Sequence, residues 1–228
     1  MTTDSKTAGL DALISKMKSA ASPFRDVLKQ LHEKYRADNT GKVADYIPEL
    51  AKADPSWFGI SIVAIDGQSF DTGDFGRPFT IQSISKPFMY GLALEDHGRE
   101  AVLKKVGVQP TGESFNSIIL DEKSNRPFNP MVNAGAIAAA DLIKGKDFPE
   151  RIARVIDLFS RYTGREVFVD NGVFMSERAT GHRNRAIAYL MRNFEMTSDR
   201  VDETLELYFQ QCSIMITGHD LAVMGATL

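Results

Sequence analysis

The chain has 228 residues, 43% of them hydrophobic and 25% charged, enough to bury a core of ordinary density in one or two compact units. Its formal net charge is −3, with Lys and Arg interspersed among Asp and Glu, so no field gathers phosphates and nucleic acid is excluded as a partner. No apolar run reaches the length of a membrane helix, and the start, MTTDSKTAGLDALISKMKSA, lacks the basic-then-apolar layout of a leader; a cytoplasmic protein without a membrane partner is expected.

In chain order, residues 1–9 read as disordered, and Leu10, Leu13, Ile14 and Met17 then repeat at helical spacing. A second helix is expected from Phe24 to Tyr35 with Val27, Leu28, Leu31 and His32 on one face, ending before the loop at Asn39-Thr40-Gly41. Phe58–Ile65 reads as a strand, Asp66-Gly67 as a two-residue type I′ turn and Gln68–Asp74 as the returning strand. A lone hairpin is marginal in water, so this one must pair with further strands or lie on helices. Helices follow over Lys86–Val106, Met131–Lys144, Phe148–Thr163, Ala186–Asn193 and Val201–Cys212, and Thr217-Gly218-His219-Asp220 reads as the capped start of another. That last helix reaches the final residue without a cap. With the unpartnered hairpin, this leads us to expect a single domain over 1–228 that lacks C-terminal strands.

The stretch Phe79-Thr80-Ile81-Gln82-Ser83-Ile84-Ser85-Lys86-Pro87 carries the chemistry. Proline is tolerated in the first turn of a helix, where its missing N–H has no partner, so a helix is expected to begin close to Ser83. Ser83 and Lys86, three residues apart, then share a face, and the free N–H groups of that turn point at an oxyanion formed on Ser83. A lysine serves as the base only if burial brings its pKa down toward roughly 7 to 8. By spacing alone, a serine cap beside a solvated lysine is the more economical reading. Cys212, the sole cysteine, reads as a buried small hydrophobe, and the four histidines form no pair at metal-ligand spacing.

The wider context resembles the serine-dependent glutaminase family. Tyr46-Ile47-Pro48-Glu49-Leu50-Ala51, Gln82-Ser83 through Lys86-Pro87, Phe115-Asn116-Ser117, Asn129 through Asn133 to Ile137, Ser176-Glu177 with Arg183-Asn184, and Tyr208 through Ser213 follow that family's order and approximate spacing, from about Gly41 to the last residue. The resemblance implies an α+β fold like that of β-lactamases and penicillin-binding proteins, an antiparallel sheet with a helical lobe and the nucleophile at a helix start between them. It implies hydrolysis of L-glutamine to L-glutamate and ammonia, with Ser83 as nucleophile, Lys86 as its base, and Tyr46 and Tyr208 relaying a proton or holding the ligand. Asn133, Glu177 and Asn184 would bind the amino-acid end of the substrate, the carboxylate of Glu177 suiting the ammonium. No metal or organic cofactor is implied, and a homodimer or homotetramer is. The family's usual continuation would add a further tyrosine and a Gly-rich strand that lends a backbone N–H to the oxyanion.

Singly, each residue has a plainer reading: Tyr208 as core, Asn133 as a helix cap, Glu177 with Arg178 and Arg183 as a surface charge cluster. Two other functions stay open at this point. One is a penicillin-binding or β-lactamase-like hydrolase, against which stands the absence of Ser-Asp-Asn and Lys-Thr-Gly in suitable places. The other is a catalytically incomplete remnant that binds glutamine or glutamate, or only oligomerises.

Overall fold

The computed structural model describes residues 23–228; the readings for 1–9 and for Leu10 to Met17 lie outside them. Helix α1, Pro23–Tyr35, has Asp26 in its first turn and Lys34 in its last, charges that suit the helix dipole. Only Leu28 of its expected apolar face is buried; Val27 and Leu31 stay exposed. His32 stacks on Phe58 and places Nε2 3.0 Å from Phe58 O, pinning α1 to the hairpin.

The hairpin forms from β1, Gly59–Val63, and β2, Ser69–Gly73, in antiparallel register from Gly59↔Gly73 to Val63↔Ser69. Its turn differs from the expectation. A type I′ turn needs positive φ at both central residues, but only Gly67 (φ 85°) lies there and Asp66 does not. Gly67 N–H donates to Ala64 O and Ala64 N–H to Gln68 O, a wider loop closed by a glycine in the left-handed region. Among the described residues the hairpin gains no third strand; β2 lies against α1, and β1 against helix α8, Gly218–Thr227. Asp71 joins the layers by accepting from Ser61 Oγ at 2.6 Å and facing His219 Nδ1 at 3.2 Å.

A second antiparallel pair, β3 (Phe79–Thr80) with β4 (Met215–Ile216), continues through Ile81 N–H to Ile214 O. It ties the Ser83 segment to the end of helix α7, Val201–Cys212. After β3 comes a 3-10 turn, Gln82–Ser85, and only then helix α2, Lys86–Leu103, with Pro87 in its first turn and a break at Gly98 (φ 73°). The α-helix starts at Lys86, as expected, and ends three residues short of the expected Val106, while the 3-10 turn supplies the helical entry close to Ser83 that the proline implied. Helix α3, Asn133–Asp141, is shorter than expected and wholly buried. Gly135 lets it pass the preceding loop: a Cβ there would sit 1.9 Å from Asn129 O.

Helix α4, Phe148–Thr163, is capped by Asp147 and ends at Gly164 in the left-handed region. Helix α5, Asn171–Thr180, was not anticipated; Asp170 caps it by accepting from Val173 N–H at 2.8 Å. Helix α6 runs His182–Asn193, starting four residues before the expected Ala186. Thr217 and Asp220 close the reciprocal cap of α8 that the sequence announced. Two apolar clusters result, one around Phe88, Met89, Phe159 and Leu207, the other around Ile137, Ile187, Met191 and Phe209. The fold is α+β, with small antiparallel pairs and a helical body, and no helix among the described residues is long and apolar enough to cross a membrane.

Candidate active site

A cavity of about 220 Å³ opens where the 3-10 turn, α5, α6, α7 and the loop before α3 converge. Tyr46, Ser83, Asn133, Glu177, Asn184 and Tyr208 all line it. Lys86 lies beneath, 2% exposed, so seven residues spread over more than 160 positions of sequence meet in one place.

Lys86 Nζ donates to Met131 O at 2.8 Å and to Asn133 Oδ1 at 2.8 Å, with the Phe115 ring centroid 5.7 Å away. No carboxylate pairs with it among the described residues, and burial pulls its pKa from 10.5 to about 8. Two donated bonds are what a neutral amine can supply from its two N–H groups, which leaves its lone pair free to take a proton. Ser83 is exposed and makes no hydrogen bond to Lys86 in this structure.

Asn133 uses both ends of its amide. Its carbonyl takes the Lys86 bond, and its Nδ2 donates to Asn184 Oδ1 at 3.0 Å. With that oxygen engaged, the Asn184 amide NH2 is the group left for a ligand.

Glu177 is 7% exposed and faces the cavity from α5. Burial raises its pKa from 4.5 to about 7, only partly offset by the Gln82 amide beside it. The surface charge cluster does not form: Arg178 pairs with Glu206 at 2.6 Å, Arg183 Nη1 donates to Asn116 O at 3.3 Å, and Glu177 has no basic partner among the described residues. With no cation beside it, the carboxyl answers burial by keeping its proton to higher pH.

Tyr208 projects from α7, 3% exposed; burial, then the neighbouring Cys212 and Glu177, raise its pKa well above 10. Tyr46 sits at the mouth and is 64% exposed, yet its hydroxyl is also raised, by partial burial and then by Glu177. At neutral pH both therefore keep their proton and can donate or pass it.

Cys212 is buried in an apolar cluster, as its neighbours suggested, and it also lines the cavity, one helical turn beyond Tyr208. Burial, then Glu177, pushes its thiol pKa up, so it is a neutral wall rather than a nucleophile. Its i+4 spacing from Tyr208 was the available sequence signal. Gln82, Asn116 and Arg183, adjacent in sequence to Ser83, Phe115 and Asn184, also line the cavity, as does Thr180, three residues beyond Glu177 on α5.

A sequence profile of the family described as Glutaminase matches residues 41–228. The chain is 63% identical over 206 residues to a protein named Glutaminase from Microcystis aeruginosa, covering 90% of this chain and 61% of that one. It is 62% identical over 207 residues to a Glutaminase from Trichormus variabilis, covering 91% and 62%. Among solved structures, Mglu in its glutamate form matches with TM-score 0.85 and 42% identity, over 90% of this chain and 48% of that one. A probable glutaminase ybaS matches with TM-score 0.85 and 36% identity, over 89% and 66%. The chain therefore spans about three fifths of the length of these curated relatives.

Proposed function

This chain belongs to the glutaminase family, and from that premise we propose that it hydrolyses L-glutamine to L-glutamate and ammonia through an acyl-enzyme on Ser83. The observation that carries the reading is the state of Lys86: buried, without a carboxylate partner, and giving two N–H bonds to Met131 O and Asn133 Oδ1 beneath the cavity. A lysine so placed is a base near neutral pH.

The substrate's ammonium pairs with Glu177, which is thereby held ionised, while the Asn184 amide and the Tyr208 hydroxyl serve the carboxylate. Mglu has been solved in a glutamate form, which supports a ligand of this class in a fold this similar. Neutral Lys86 accepts the Ser83 proton as Oγ attacks the γ-carboxamide carbon. The oxyanion develops against backbone N–H groups of the 3-10 turn, Ser83's own among them. Ammonia leaves with a proton returned through Lys86 or a tyrosine, and water, activated by the same lysine, cleaves the ester. The reacting centre uses only side-chain and backbone groups of the protein. In solution the chain is taken to associate as a homodimer or homotetramer, which sedimentation tests; a strictly monomeric species removes that part.

A second reading, binding of glutamine or glutamate without turnover, is favoured by one observation: Ser83 is not hydrogen-bonded to Lys86. Release of ammonia and glutamate, compared between this chain and Ser83→Ala with both shown to be folded, separates the two. Turnover lost in the variant supports the hydrolase; glutamate binding with no turnover in either supports the binding protein; neither activity sinks both.

A further inference from the structure

The turn that carries Ser83 is braced from its buried side. Gln82 has φ 50°, a left-handed conformation that a non-glycine residue holds only when its surroundings impose it. Its carbonyl accepts from Ser85 Oγ at 2.7 Å, and that oxygen accepts in turn from Gln211 Nε2 at 3.2 Å. Ser85 and Gln211 are both 0% exposed. The single hydroxyl proton of Ser85 is committed to Gln82, so Gln211 must turn its NH2 toward Ser85. Its Oε1 is then buried with no partner among the described residues. An apolar pair would fill the same space without stranding a carbonyl.

The polar pair ends on the one carbonyl whose direction matters for chemistry. Gln82 C=O and Ser83 N–H belong to the same planar trans peptide and point in opposite directions. Holding the carbonyl inward, onto buried Ser85, turns the Ser83 N–H outward, to the side on which Ser83 is exposed and lines the cavity. The remaining links fix the strand side of the turn: Gln82 Nε2 donates to Thr80 Oγ1 at 3.1 Å and Ile81 N–H to Ile214 O at 2.8 Å.

We propose that Ser85 and Gln211 are positioning residues for the nucleophile, a buried hydrogen-bonded brace from α7 that holds the Gln82–Ser83 peptide so that the Ser83 N–H serves the oxyanion. This rests on the reading of Ser83 as nucleophile. It adds two residues that touch neither substrate nor reacting atoms. It also gives α7 a second role beside presenting Tyr208.

The test uses a small alkyl fluorophosphonate, whose phosphorus Ser83 Oγ attacks with loss of fluoride while Lys86 takes the hydroxyl proton; labelling is followed by intact mass against pH. The variants are Ser85→Ala, Gln211→Leu and the double variant. The double variant removes the stranded carbonyl together with the brace, so its thermal midpoint should stay within a few degrees of the parent. Its plateau labelling rate should fall about 10- to 100-fold, the range that loss of a held near-attack geometry commands. The pH midpoint should not move, because Lys86 keeps Met131 O and Asn133 Oδ1.

A folded double variant that labels within twofold of the parent overturns the inference. So does a pH midpoint that moves with the rate, which marks general loosening around Lys86, and so does a double variant that fails to fold. A parent that labels no faster than Ser83→Ala overturns the nucleophile reading itself, and is told apart because it needs no brace variant.

Discussion

Replacing Glu177 with glutamine separates the cost of this site from its use. The carboxyl titrates ordinarily at 4.5 and at about 7 in the folded protein, because burial disfavours its charge. Between those values the folded state keeps a proton that the unfolded chain has released, so stability falls as pH rises through the window and stays lowered above it. At pH 8 the buried charge costs about 3 kcal/mol, whereas at pH 5 the cost is about 1 kcal/mol or less. Glu177→Gln keeps the shape and removes the titration. The variant should melt roughly 6 to 12 °C above the parent at pH 8, at about 2–4 °C per kcal/mol for a chain of this size, with the gain mostly gone at pH 5. Saturating L-glutamate should raise the parent's midpoint and leave the variant's unchanged, since the ammonium has lost its counter-charge. Thermal unfolding followed by circular dichroism at both pH values, with and without glutamate, reads all four quantities. A variant no more stable than the parent at pH 8, or a gain independent of pH, would refute the reasoning.

Lys86 gives the mirror-image result: serine labelling should rise about tenfold per pH unit and level off above about 8, and Lys86→Met should abolish the rise. Since its folded pKa lies below the ordinary 10.5, the parent's stability relative to that variant should also climb between pH 8 and 10.5, which urea melts of both across the range would show. Asn133→Ala removes an acceptor from Lys86 and a donor from Asn184; a loss of about 2 kcal/mol, a labelling midpoint below the parent's and at least roughly tenfold weaker glutamate binding by calorimetry are expected. Gly135→Ala should cost about 3 kcal/mol or more in urea unfolding, because its methyl would lie 1.9 Å and 2.7 Å from backbone atoms of Asn129, which cannot rotate away.

The sequence was most legible where one local rule governs. The bounds of α4 and α7 follow from periodicity, and the Thr217–Asp220 cap of α8 from residue type. It was less legible where two rules compete. Asp66-Gly67 favours a type I′ turn by composition, yet the loop closes one residue wider between strands held by α1 and α8. Pro87 marks a helix start but cannot say whether a 3-10 turn comes first. Helix α5 carries little periodic signal, because its ten residues, NGVFMSERAT, have few apolar positions and bury only Glu177.

By itself the sequence determined the residue types of the site, their order and most of the helices, because capping, proline geometry and side-chain periodicity act within a few positions. Only tertiary structure decided their states. That Lys86 is a buried amine with a lowered pKa, that Glu177 is an unpaired buried acid rather than part of a charge cluster, and that Cys212 walls the cavity all follow from desolvation and from contacts across more than 45 positions of chain. Such fields depend on what surrounds a group in space, and spacing along the chain does not encode that.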